Sequence, residues 1–242
     1  MYEYELIEKQ LNTKYVGRVF LQFDNIESTT SKCRNISQTC PSGMLVLSED
    51  DMEGNTYIKK DLKDFEKKVL MSLILKLDRN NFNKECIETL SSCIGAASLL
   101  SAAEEHFENL TYYWEKIIKG KDFLAEIDSQ KSLKSNDKSI ILSFKIYYNA
   151  NFKREMLIGK LLNAIENNIN NAFIKNNTAN IVGKCSTYLK SKNSYIMINK
   201  KNRKTVKKLE KIELNGEGNL VGKYKSEEIC IKWKDYKIEW YD

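Results

Sequence analysis

The sequence predicts an α+β fold, a sheet flanked by helices followed by a small β domain, and three observations predict it. Apolar segments of strand length alternate with segments of helical spacing through residue 180. After Asn180 the spacing changes to alternation with period two. The length, 242 residues with 42% hydrophobic and 30% charged, suffices to bury a substantial core in one large domain plus a small one, divided as 1–180 and 181–242.

The elements follow in order. Residues 1–12 read as a short amphipathic helix with Leu6, Ile7 and Leu11 on one side. Residues 17–23 read as a strand, and Ser28-Thr29-Thr30-Ser31 supplies N-cap candidates for a helix through residue 38. Pro41-Ser42-Gly43 is a turn before a short buried strand, Met44–Leu47. Residues 49–68 are polar and highly charged and are expected to form a loop. Val69–Leu77 is a second apolar strand. Residues 82–107 form a long helix, with Ile87, Leu90, Ile94, Ala97 and Ser101 at three- and four-residue spacing. Residues 110–118 and 122–127 are strands flanking a Lys119-Gly120-Lys121 turn. Ser139–Tyr148 is a strand with one strongly apolar face (Ile140, Leu142, Phe144, Ile146, Tyr148), which places it inside a sheet rather than at a free edge. Residues 152–174 form another helix, with Leu157, Leu161, Ile165 and Ile169 four apart. In the last segment, Ile229, Ile231 and Trp233 alternate, then Tyr236, Ile238 and Trp240. The change of phase at Lys234-Asp235 predicts a two-residue hairpin.

Composition excludes several classes. There is no apolar run of membrane-spanning length and no leader-like opening, so a cytoplasmic protein is expected. The six cysteines include no Cys-x-x-Cys pair, and the single histidine, His106, leaves a zinc site short of ligands. The cysteines read as reduced packing residues, with a Cys33–Cys40 disulfide left open. No phosphate-cradling glycine loop and no nucleophile elbow occurs. Net charge is +6, and residues 184–211 hold ten Lys or Arg against one acid, Glu210. That block is either a solvated face or a docking surface for nucleic acid or an acidic protein. The alternation of the neighbouring aromatic residues, core-like rather than platform-like, ranks nucleic acid last.

The residues from Asn12 to Thr30 carry a resemblance. Gly17, Phe23, Asp24, Ile26, Ser28 and Thr29 fit the opening of the catalytic domain of biotin–protein ligases, with Thr30 in place of the usual Asn. The order of elements resembles that family across nearly the whole chain. The resemblance implies a biotin ligase-like central mixed sheet flanked by helices, with a small C-terminal SH3-like β-barrel. It implies biotin and ATP as substrates if the chain is active, an acceptor protein as partner, no metal among the site residues, and a possible homodimer formed edge to edge.

The resemblance also shows what has changed. Family members bring arginines and backbone N–H groups to the phosphates through a loop reading roughly "A-E-x-Q-x-x-G-R-G-R-x-G-R". Here Ser48 and Glu49 stand at its opening, Asp51 falls at the Gln and Gly54 at the first Gly. Asn55, Thr56 and Tyr57 replace Arg-Gly-Arg, and Lys59 and Lys60 remain as phosphate candidates. Losing one charge-assisted contact to a transition state costs about 3 kcal/mol, roughly a hundredfold in rate. At least two arginines are gone, and Asp51 brings a carboxylate. The family's "K-W-P-N-D" segment reads Tyr113-Trp114-Glu115-Lys116-Ile117, and only the tryptophan survives. By the same resemblance Lys121 is the candidate catalytic cation, and Ser28, Thr29, Thr30, Asp51, Gly54 and Trp114 are candidate ligand contacts. Two readings follow: a degenerate homologue that binds a ligand or partner protein, and a divergent active biotin- or lipoate-type ligase. The basic segment 184–211 as a binding module is a third.

Overall fold

The computed structural model describes residues 1–52, 62–77, 86–114, 116–132, 139–190, 195–200, 206–231 and 236–241. A helix, α1 (Tyr4–Gln10), leads into strand β1 (Phe20–Ile26). Helix α2 (Thr29–Ile36), strands β2 (Met44–Asp51) and β3 (Lys67–Lys76) and the long helix α3 (Cys86–Ala103) follow. Then come β4 (Thr111–Tyr113), β5 (Ile117–Gly120), β6 (Phe123–Lys131) and β7 (Ser139–Tyr148). Helix α4 (Arg154–Ile169) runs into a π-helical turn, and α5 (Ala179–Tyr188) precedes β8 (Tyr195–Lys200), β9 (Val206–Leu214), β10 (Leu220–Tyr224), β11 (Glu227–Ile231) and β12 (Tyr236–Tyr241).

The first seven strands form one mixed sheet in the order β1-β2-β3-β7-β6-β5-β4, with β1 and β2 parallel and the remaining pairs antiparallel. As its alternation predicts, β7 lies inside the sheet. Ile140, Leu142, Phe144, Ile146 and Tyr148 join the main core with α3 and α4. Ile141 joins Cys33, Met44, Val46 and Ile74 in a small second cluster under α2. Ser143 and Lys145 extend the same face as Ile141, so the face covered by α2 is apolar at one end and polar at the other.

Several expectations require correction. The first strand starts at Phe20, not Gly17, because Gly17 sits in a turn at φ +75°. Residues 49–51 belong to β2, and 67–68 to β3, rather than to a loop. The expected strand 110–118 is two strands, broken near the buried Trp114. Residues 179–188 are helical: Ile181, Val182 and Cys185 are buried at helical spacing, and the period-two pattern begins later. Lys234 and Asp235 lie outside the described residues, but the strands on either side do not pair as a hairpin. Strand β11 pairs with β10, whereas β12 crosses to β8 at the other side of a five-stranded sheet ordered β11-β10-β9-β8-β12. Cys33 and Cys40 are both free thiols. No helix among the described residues is long and apolar enough to cross a membrane.

Candidate functional site

The N-terminus of α2 builds the first part of the site. Ser28 caps the helix, its Oγ accepting from the Ser31 N–H at 3.3 Å, a local pattern that the sequence declares. The next two residues look onto the sheet. Thr29 Oγ1 is 2.8 Å from Ser72 Oγ on β3, Ser72 Oγ is 2.8 Å from Ser143 Oγ on β7, and Thr30 Oγ1 is 2.8 Å from Ser143 Oγ. Four hydroxyls thus form an unbroken chain across the sheet, each able to donate and to accept.

One helical turn on, the same face of α2 stays polar. The Arg34 guanidinium donates to the Gln130 amide oxygen on β6, and Ser37 Oγ is 3.4 Å from Ser132 Oγ. Gln130 donates in turn to Asp128, which pairs with Lys116 at 2.8 Å. Asp128 stands opposite Ser143 in the β6–β7 register, so this network adjoins the hydroxyl chain.

The second part is the end of β2, where three carboxylates follow one another. Glu49 takes a two-pronged contact from Arg154 of α4 at 2.6 and 2.7 Å, and the Arg154 guanidinium lies 3.8 Å from the Tyr2 ring centroid. Asp50 pairs with Lys68 at 2.8 Å, and Asp51 with Lys145 of β7 at 3.1 Å. Burial alone would raise the Glu49 carboxyl, but Arg154 and the N-terminal ammonium outweigh it and hold the group below its ordinary range. The buried Glu126 faces Lys145 in register on β6. Tyr147 is pushed up to about 12 by burial first and then by Asp51, Glu126 and Asp50.

The sequence-predicted residues divide as follows. Thr29 and Thr30 come together at the hydroxyl chain, Ser28 caps the helix that carries them, and Asp51 faces the same side of the sheet through Lys145. Gly54, Lys59 and Lys60 lie outside the described residues. Lys121 is exposed at the turn between β5 and β6, its N–H donating to the Glu108 carbonyl at 3.0 Å, roughly 20 Å along β6 from Asp128. Trp114 is buried, and its Nε1–H donates to the Gly218 carbonyl at 2.9 Å, tying the seven-stranded sheet to the β9–β10 turn. Ser72, Ser143, Lys145, Arg34, Asp128 and Lys116 were not singled out from the sequence. A serine within the apolar run of β3, and Ser143 and Lys145 on the polar phase of β7, were the signals available. Among the described residues no group of His, Cys, Asp or Glu could hold a metal ion. Residues 191–194 and 201–205 of the basic stretch lie outside the described residues; of the rest, Lys184 on α5 and Lys208 on β9 pair with Glu104 and Glu210.

No family model and no curated protein matches the sequence. Solved structures do match in shape. Biotin protein ligase from Aquifex aeolicus, in complex with biotin and ATP, superposes with a TM-score of 0.70 at 11% identity, covering 92% of this chain and 99% of that one. The chain has the biotin protein ligase fold. Similar in shape too are a biotin protein ligase-like protein of unknown function from Silicibacter (TM-score 0.58, 8% identity, 90% and 96% covered) and the Helicobacter pylori biotin acetyl coenzyme A carboxylase synthetase with bound biotinylated ATP (0.52, 10%, 88% and 99%). At such identities the likeness concerns the ligase fold alone.

Proposed function

We propose that this chain is a degenerate biotin–protein ligase homologue that has lost, or much reduced, adenylate formation and works by binding a small ligand or a partner protein. The observation that carries the reading is the end of β2. In the family's pattern, this strand leads into the loop that brings arginines to the phosphates. Here it ends in Glu49, Asp50 and Asp51, and these engage Arg154, Lys68 and Lys145 as ion pairs. An incoming triphosphate on the side covered by α2 meets the Asp50 and Asp51 carboxylates and must compete for cations already neutralised. The hydroxyls of Ser28, Thr29 and Thr30 remain suited to a ligand's polar head, a neutral task that needs no arginine.

In this reading residues 1–180 are the ligase-like domain and 181–242 an SH3-like barrel. The β8–β11 meander, with β12 returning to β8, supports the barrel. Gly54, Trp114, Lys121, Lys59 and Lys60 keep the roles that the resemblance gives them, as proposals. A partner protein, in place of nucleic acid, fits the pairing of Lys184 and Lys208 with acidic neighbours. A homodimer would use β1 at the sheet's edge, since β4 is bridged on its outer side by Leu189.

The test is biotin-dependent exchange of pyrophosphate into ATP by the purified protein, with lipoate as a second acid. No exchange above background is expected. Robust exchange would reinstate the divergent active ligase. That reading is favoured by Lys145, a cation held on the central strand, and Lys145→Ala and Lys121→Ala would then show which lysine serves it.

A further inference from the structure

Core packing explains the ring of Tyr2 but not its hydroxyl. The last residues paired between β2 and β3 are Ser48 and Leu70. The Leu45 N–H bonds to the Val19 carbonyl at 2.9 Å, so up to Ser48 the odd residues of β2 turn their backbone groups toward β1 and the even ones toward β3. Ser48 and Leu70 therefore face each other as a pair that would exchange both ladder bonds. Instead the Tyr2 hydroxyl stands at this pair, accepting from the Leu70 N–H at 3.3 Å and donating to the Ser48 carbonyl at 3.2 Å. The side chain is firmly seated. It is 4% exposed, the Arg154 guanidinium lies over its ring, and the neighbouring Glu3 N–H donates to Glu155 at 3.2 Å.

Beyond the hydroxyl the sheet divides. Strand β3 stays on β7 as far as Lys67, and β2 stays beside β1 as far as Asp51, but no register pair joins residues 49–51 to residues 67–69. Alternation along β2 breaks at the same place. Glu49 turns to Arg154 of α4, whereas Asp51, two residues on, turns to Lys145 on the opposite side of the sheet.

We propose that Tyr2 is a wedge: its hydroxyl takes a ladder bond, holds the end of β2 off β3 and leaves Asp51 turned onto Lys145, so that seating of the segment before α1 sets the charge around the candidate site. Without the hydroxyl, Ser48 and Leu70 bond directly and Asp50 falls opposite Lys68 in the continued register. The Asp50–Lys68 ion pair, which already spans the gap at 2.8 Å, favours that closure. Restored alternation then carries Asp51 to the side of Glu49, away from Lys145. Tyr2 is thus a positioning residue, and no covalent bond changes. The inference holds whether or not the chain forms an adenylate.

Residue-resolved amide hydrogen exchange on the full chain tests it. The Leu70 N–H points at Tyr2, so the even residues of β3 face β2, and the Lys68 amide faces the gap. In the unaltered protein Lys68 should exchange freely and Leu70 slowly. In Tyr2→Phe, which keeps the ring, Lys68 should slow by roughly tenfold or more while Leu70 stays protected. A hydroxyl that serves packing alone predicts the opposite sign, faster exchange at Leu70 and no gain at Lys68. The Lys145 side-chain resonances in Tyr2→Phe should also move toward those of Asp51→Asn. Faster exchange at Leu70, an unchanged Lys68 or unmoved Lys145 resonances overturns the proposal. So does a Lys68 amide already protected in the unaltered protein, a result that decides even if Tyr2→Phe fails to fold. Pyrophosphate exchange is a separate readout: it decides the degenerate-homologue reading and leaves the wedge standing or fallen on the amides alone.

Discussion

Glu166 of α4 shows how much one carboxylate can fix. It accepts from the backbone N–H groups of Lys14, Tyr15 and Val16 at 2.7, 3.0 and 3.0 Å, and so pins the turn that leads through Gly17 into β1. Burial would raise this carboxyl, but the three donors outweigh it and hold the group below the ordinary glutamate range. Removing the carboxylate strands buried donors, so Glu166→Ala should lower unfolding free energy by roughly 3 kcal/mol in urea titrations. The sign of the pH effect follows from the lowered value. The stabilisation is complete above the unfolded pKa of about 4.3 and is lost as pH falls through the lower folded value. The gap between the unaltered protein and Glu166→Gln should therefore close in acid. A gap that stays constant down to full protonation would refute the assignment. The hydroxyl chain obeys the same accounting: Ser72→Ala leaves Thr29 and Ser143 short of a partner in a buried place and should cost about 1–2 kcal/mol.

At the scale of the element, Gly218 in the β9–β10 turn has little freedom. Its φ is +79°, and a Cβ there would lie 2.6 Å from Cys93 Sγ. Gly216, two residues away, has open space around it. Gly218→Ala should lower the melting temperature by several degrees, a cost of roughly 1–3 kcal/mol, with Gly216→Ala as a near-neutral control. Equal melting of the two variants would remove the argument. The same contrast between local and distant causes decides what the sequence could tell. The Ser28 cap and the placement of β7 were legible, because a cap acts within one turn and an alternation shows its buried face directly. The hydroxyl chain was not legible, since Ser72 and Ser143 lie 43 and 113 residues from the threonines that they meet. The β11–β12 hairpin misled for a physical reason. A change of phase at a turn is satisfied equally by two strands that pair with each other and by two that flank one sheet from opposite sides. Helix α5 was hidden because only Ile181, Val182 and Cys185 supply its short buried face, among polar residues and Gly183.

For the whole molecule the question is whether the C-terminal strands stand alone. The turn carrying Gly218 ties them to the seven-stranded sheet: the Gly218 carbonyl accepts from Trp114 Nε1 at 2.9 Å and from Cys93 Sγ at 3.6 Å. Cys185 of α5 donates to the Cys93 carbonyl at 3.4 Å, so α5 packs on α3 beside the same junction. A small β-sheet of this size draws little stability from its own core, and much of its order should come from this socket. Trp114→Phe keeps an aromatic ring, removes the donor and leaves a small cavity, at a cost of roughly 2 kcal/mol. Hydrogen exchange should locate that loss. Amides of β9, β10 and β11 should exchange measurably faster in the variant, and those of β3 and β7 at nearly their former rates. If exchange instead quickens uniformly, the two parts unfold as one unit and the tryptophan serves the whole core. If nothing quickens, the C-terminal sheet holds itself together and the socket is only a contact.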